Sequence, residues 1–408
     1  MTPSDHTHPD LRGKRAAVIL YSSFPSDPRP NRAAEAMAEA GMTVDVLCLA
    51  ESEKEAPHEK CGNISVYRIP MRRRRESKLT YLLQYGRFLL SSFWFLTRRS
   101  LRKKYDIVHV HNMPDFLVFA ALVPRLQGTR VILDIHDPMP ELMVTIYGLP
   151  PKHWFVRILR IFERLSIGFA HLVLTPNIAF KTLFISRSTK RENKIQIVMN
   201  SPQEKLFDPD RLGANQPQAT DNRAFRIMHH GSIVHRHGID LLVEAIARVR
   251  PQIPGVRLDI YGNRTPFVDT VLSRAQELGV SDIVAYHGPR TQGQIAELIR
   301  ECNLGVVPNR RSVFTDINFP TRLFEYLSMH RPVIAPSTQG IRDYFSDEQM
   351  MFFKPEDVSD LAERILWVYR NPQETSRIVQ AGIEIYRHHL WSQEKSKFIS
   401  LVGTLMQQ

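Results

Sequence analysis

Phe319-Pro320-Thr321-Arg322-Leu323-Phe324-Glu325-Tyr326-Leu327-Ser328-Met329-His330-Arg331-Pro332-Val333-Ile334-Ala335-Pro336 sets one acidic residue, Glu325, on a short amphipathic segment between apolar runs. Pro320 suits a first helical turn, where its missing N–H is no loss. That predicts a helix opening at Pro320 and carrying Glu325 about one and a half turns in. Leu304-Gly305-Val306-Val307 upstream and Pro332-Val333-Ile334-Ala335 downstream do not alternate apolar with polar residues, so they read as buried parallel strands. A carboxylate on the helix between them lies near the carboxyl edge of the sheet, where open α/β folds bind ligands.

The same alternation extends in both directions. Ala16 to Tyr21 reads as a first strand, Arg32 to Ala40 as a helix stopped by Gly41, and Thr43 to Leu47 as a second strand. Further strands are expected at Ile64 to Ile69, Asp106 to Val110, Arg130 to Ile135, Leu172 to Leu174 and Ile195 to Val198. From Ser201 to Asn222 the chain turns rich in Pro, Asp, Asn and Gln, as a linker does. It restarts at Phe225 to His229 with a turn at Gly231 and a helix whose apolar face is Ile239, Leu242, Val243, Ile246 and Val249. Strands near Arg257 to Tyr261, Ile283 to His287, Leu304 to Val307 and Val333 to Ala335 complete a second sheet. The expected fold class is α/β, with two Rossmann-like domains facing a central cleft. Their bounds are expected at 1–205 and 206–385, followed by 386–408 as a helix returning to the first domain.

At 408 residues the chain is longer than one hydrophobic core usually serves, which agrees with two domains. Lys plus Arg number 54 against 42 Asp plus Glu, a net charge of +12. Met71 to Lys104 alone holds eleven basic residues against the single acid Glu76, a local excess of ten. Cys48, Cys61 and Cys302 are too few and too far apart for a disulfide framework, which implies a reducing compartment, the cytoplasm. The polar amino terminus shows no signal peptide, and no run of about 18 apolar residues is present to span a bilayer.

The Glu325 segment resembles the nucleotide-binding segment of glycosyltransferase family 4, and the resemblance extends from the first strand to Trp391 and the final helix. It implies the GT-B fold and a retaining transfer of sugar from a nucleotide-sugar donor, with Glu325 bonding the ribose hydroxyls. In the family the loop after the first strand of the second half carries a basic residue after its first glycine and a lysine before its second, both touching the diphosphate. Here that loop is His230-Gly231-Ser232 to Arg236-His237-Gly238, with Ser232 and His237 at the two basic positions. Arg236 is favoured over His237 as the diphosphate ligand, because guanidinium chelates phosphate oxygens better. Asn318, Phe319 and Arg322 occupy the polar loop and basic position before Glu325, and Gly262 matches the strand-end glycine of the base-binding region. The family's upstream glutamate falls at Ile317, with Asp316 one residue earlier. His330 stands where relatives have glycine, so a left-handed cap there would cost roughly 1 kcal/mol.

In the first half, Asp106 to Asp115 and Leu133 to Glu141 both end strands with polar residues. The resemblance makes this the acceptor domain, with His136 contacting the reacting sugar and His111, Asn112, Asp137 and Glu141 beside the acceptor. Arg29, in the loop after the first strand, would aid the leaving group, and Asn200 matches a family asparagine before the linker. His109 and His111 share a sheet face, but as a metal pair they lack a nearby third ligand in sequence. Asp208-Pro209-Asp210, the one Asp-x-Asp, lies in the linker and reads as a solvated turn. No metal or other cofactor is therefore expected, the diphosphate being neutralised by fixed cations.

Leu79 to Leu101 presents a broad apolar surface flanked by Arg72 to Arg75 and Arg98 to Lys104. Aromatics beside cations suit an interfacial helix on anionic lipid, so a peripheral membrane location and a lipid-linked or polysaccharide acceptor are expected, and no nucleic acid. The alternatives are a nucleotide-sugar epimerase on the same fold and a non-catalytic binder of anionic surfaces.

Overall fold

The computed structural model describes residues 10–52, 54–71, 78–188, 192–210 and 224–408. The arginine run Arg72 to Arg75 and much of the linker lie outside the described residues. The chain divides into two compact units. The first runs to Met199 and takes in Glu394–Gln408, and the second is Asn200–Gln393.

The first unit is built on β1 (Arg15–Ser23), β2 (Thr43–Leu49), β3 (His58–Cys61), β4 (Ile64–Ile69), β5 (Ile107–His111), β6 (Arg130–Asp134), β7 (Leu172–Thr175) and β8 (Ile195–Ile197). Their order is β3-β4-β2-β1-β5-β6-β7-β8, all parallel except the edge pair β3 and β4. The continuous apolar run Ala16 to Leu20 of β1 is buried on both faces, as a central parallel strand must be. Strand order reverses between β1 and β5, the switch point beside which open sheets bind ligands. The helix after β1 spans Pro28–Glu39, four residues earlier than expected, because Pro28 takes its first turn. Arg29 is therefore helical rather than on a loop.

The second unit carries β9 (Phe225–His230), β10 (Val256–Tyr261), β11 (Val284–Tyr286), β12 (Leu304–Val306), β13 (Val333–Pro336) and β14 (Met351–Phe353), in the parallel order β11-β10-β9-β12-β13-β14. Its switch point lies between β9 and β12. There the loops pass backbone against backbone: a Cβ on Gly262 would stand 2.0 Å from the Gly231 carbonyl oxygen, and one on Gly238 (φ +63) 2.1 Å from that of Pro308. Only glycine permits both crossings.

The Glu325 helix is shorter than predicted. It spans Arg322–Ser328, and Pro320 stands ahead of it in a turn whose carbonyl takes the Leu323 N–H (3.1 Å). Glu325 thus falls in the first helical turn. The helix ends with His330 at φ 55, and Arg331 N–H returns to the Tyr326 carbonyl (2.9 Å). A non-glycine residue held there costs about 1–2 kcal/mol.

Candidate active site

Within the second unit, the carboxyl end of β9 gathers most of the residues singled out for the donor. His229 Nδ1 bonds the Val306 carbonyl (3.0 Å), which only accepts, so that nitrogen carries the proton. Its Nε2 then accepts from Arg322 Nη1 (3.0 Å), and the same Nη1 also donates to the His230 carbonyl (2.8 Å). Burial and the adjacent Arg322 hold His229 well below the usual histidine range, which fits this neutral form. The Arg322 side chain lies over Gly231, where a Cβ would meet its Cδ at 3.5 Å. Arg322 is thus a fixed cation packed against the glycine turn.

His237 donates Nδ1–H to the Ser232 carbonyl (2.5 Å). Burial, with Arg322 and Arg236 adding to it, pushes its pKa down to about 3. At neutral pH His237 is uncharged, so the positive charge here comes from Arg236 on the loop and Arg322 on the adjacent helix. Asp316 pairs with Arg311 (3.1 Å). Phe319 is buried, its ring 4.8 Å from Phe324 and 5.0 Å from Tyr344, so the side chain of this candidate donor contact belongs to the core. Asn318 is half-buried, and its N–H goes to the Phe314 carbonyl (3.0 Å). Asn200 Nδ2 donates to Thr321 Oγ1 (3.0 Å).

Glu325 has a partner that sequence reasoning missed. His230 Nε2 lies 2.6 Å from Glu325 Oε2, and His230 Nδ1 lies 3.0 Å from the Tyr326 hydroxyl. That hydroxyl has one proton and gives it to the Met228 carbonyl (2.9 Å), so His230 Nδ1 must be the donor toward it. The 2.6 Å contact makes His230 Nε2 the hydrogen-bond partner of Glu325. The visible signal was two histidines closing a strand directly after its apolar pair Ile227 and Met228.

The first unit assembles a separate polar cluster at the ends of β5 and β6. Register pairs His111 with Asp134 across the two strands. His111 Nδ1 and His136 Nε2 are 3.0 Å apart, one donating and the other accepting. Burial depresses both histidines, His111 well below its usual range, so the pair is neutral. Asn112 ties the two loops together: its Oδ1 accepts the His136 N–H (2.9 Å), and its Nδ2 donates to the Asp137 carbonyl (2.7 Å) and Asp115 Oδ1 (3.0 Å).

Two expectations change here. Arg29 is buried, with Nε and Nη2 on Asp134 (2.8–3.1 Å) and Nη1 on the Val198 carbonyl (2.9 Å), so its charge is engaged inside the first unit rather than held for a leaving group. Glu141 is likewise buried against Arg187, which also binds Glu163 (3.1 Å), leaving it ill suited to touch an acceptor. The pair His109 and His111 does have a third neighbour, since donor atoms of these two and of Asp134 lie within 4.8 Å of one another. Both Asp134 oxygens already accept from the Arg29 guanidinium, and that fixed cation opposes a divalent ion at the same carboxylate. In the linker, Asp208 Oδ1 accepts the Asp210 N–H (3.0 Å), a local turn.

Two parallel sheets, each with polar residues at its switch point, define a two-domain α/β protein of the Rossmann type. Residues 214–385 match the model of the group 1 glycosyl transferases, and residues 27–200 match the glycosyl transferase 4-like domain. The chain belongs to this glycosyltransferase family. It is 23% identical over 226 residues to the D-inositol 3-phosphate glycosyltransferase of Stackebrandtia nassauensis, covering 53% of this chain and 50% of that protein. The chain spans about half the length of the curated relatives it matches. Among solved structures it resembles sucrose-phosphate synthase from Thermosynechococcus elongatus (TM-score 0.74, 18% identity, 95% of this chain and 98% of that one). It also resembles Anabaena Alr3699/HepE in complex with UDP-glucose (TM-score 0.71, 15% identity, 96% and 99%). Both share its fold of two parallel-sheet domains.

Proposed function

We propose that this chain is a retaining glycosyltransferase that takes a sugar from a nucleotide-sugar donor, bound by the second unit, and passes it to a lipid-linked or polysaccharide acceptor bound by the first. The observation that carries this reading is the grouping of Glu325, with His230 at 2.6 Å, beside the half-buried Arg322 at the β9–β12 switch point. A carboxylate accepts the two ribose hydroxyls, and the cations beside the glycine turn meet the diphosphate. His136 faces the reacting sugar. Screening the purified protein against nucleotide sugars, with transfer and donor turnover followed separately, tests this reading, and turnover without any acceptor would favour an epimerase.

His230 sets the carboxylate of Glu325 in this reading. His230→Leu is expected to weaken donor binding by about 1–3 kcal/mol, because it leaves Glu325 without its partner. His230→Gln, which keeps an N–H donor, should retain more of the affinity. Equal affinities for the native protein and the Leu variant in calorimetry would exclude a role for the pair.

Transfer needs no divalent cation in this reading, since Arg236 and Arg322 supply fixed charge. Activity should survive excess chelator unchanged. Loss that Mg²⁺ or Mn²⁺ restores would place the leaving-group charge on a metal instead.

The protein works on an anionic membrane surface, approached through Met71 to Lys104 with its excess of ten positive charges. Each cation near such a surface contributes on the order of 1 kcal/mol. In this reading the contact is peripheral; among the described residues no helix is long and apolar enough to cross a membrane.

A further inference from the structure

The helix Trp154–Phe169 has two unlike faces. Val156, Leu159, Ser166 and Ile167 are buried, whereas Trp154, Ile158, Ile161 and Leu165 are 39–66% exposed at spacings of four, three and four, one continuous stripe. Scattered exposed leucines need no explanation, but a contiguous stripe of large apolar side chains does. Arg157 and Arg164 are exposed on the same helix, and its one acid, Glu163, is turned inward onto Arg187.

The helix Lys78–Arg102 repeats the design. Leu83, Leu90, Trp94 and Leu101 are 61–67% exposed, Arg87, Arg98 and Arg102 are exposed among them, and the helix contains no acid. The segment Asp115–Ala121 packs against both helices: Phe116 meets Tyr85 of one (6.3 Å) and Phe162 of the other (5.5 Å), and Phe119 meets Phe169 (5.2 Å). The two helices therefore flank one segment of the first unit.

We propose that the Trp154–Phe169 helix is a second membrane-contacting element, lying in the interface of an anionic bilayer beside Lys78–Arg102. It extends the membrane reading above and rests on it, since both helices would meet the same bilayer. Charge selects the occupant. A second copy of this chain would set arginine against arginine across a two-fold axis, whereas anionic headgroups complement both helices. An amphipathic helix of this pattern buries its apolar side at the headgroup boundary while its arginines stay among the phosphates.

The test is sedimentation of the full chain with vesicles of phosphatidylcholine, with and without phosphatidylglycerol. The native protein should sediment only with the anionic vesicles, less so as salt is raised. A Trp154→Ser, Ile161→Ser, Leu165→Ser variant should bind at least about tenfold more weakly, because it removes three apolar anchors. Its donor affinity should be unchanged, which shows that it folds. Unchanged vesicle binding by this variant, while replacing Arg72 to Arg75 by Gln abolishes binding, would overturn the second element and leave the first standing. No sedimentation of the native protein at low salt would overturn both. Native dimers in solution that the serine variant dissolves would assign the stripe to a second copy and overturn the proposal, as would binding to an acidic protein but not to vesicles.

Discussion

Substituting alanine for His136 is expected to lower turnover by about 10²-fold or more, the usual loss when a group that acts mainly on the transition state is removed. The geometry makes the substitution readable. The His136 main-chain N–H is held by Asn112, and its ring leans on His111 at 3.0 Å, so the loop has anchors besides the imidazole itself. Burial keeps the ring neutral, so the change removes a hydrogen-bonding group and leaves the net charge unaltered. Donor affinity should move little, since the proposed donor residues belong to the second unit, and the loss should appear in kcat more than in donor KM. Native turnover in a folded His136→Ala protein would remove His136 from the reacting centre.

Glu325→Ala is expected to do the reverse, weakening donor binding by about 1–3 kcal/mol with a smaller effect on kcat at saturation. At about 1.4 kcal/mol per decade, that is roughly fivefold to somewhat over a hundredfold in Kd. Two losses add. In the proposed donor site the ribose loses its acceptor, and His230 Nε2 loses its hydrogen-bond partner 2.6 Å away. Glu325→Gln separates them, because the amide keeps the shape but not the charge. Calorimetry with the preferred nucleotide sugar decides, and an unchanged Kd would remove Glu325 from the donor site.

The parallel sheets were readable because their strands are continuous apolar runs. Ala16 to Tyr21, Leu304 to Val307 and Val333 to Ala335 fall within or one residue beyond strands β1, β12 and β13. Two strands escaped for opposite reasons. His58–Cys61 is wholly polar in its first three residues and exposed, and is a strand only because β4 lies beside it. Met351–Phe353 is three residues long, too short for any period to show. The position of Glu325 was legible from the local run of residues, but the start of its helix was not, because Pro320 is equally at home in the preceding turn.

Family membership, two parallel α/β domains and the concentration of charge in Met71 to Lys104 follow from the sequence alone, because each depends on residues that are neighbours along the chain. What each functional side chain touches does not. Arg29 meets Asp134 across 105 residues, and His230 meets Glu325 across 95. Each pairing exists only after strand order and register have been chosen, here β1 beside β5 and β5 beside β6, and β9 beside β12. Neutral His237, inward-turned Glu163 and the exposed stripe at Trp154 have the same origin. Charge state and exposure are properties of what packs around a group, and only the folded chain decides that.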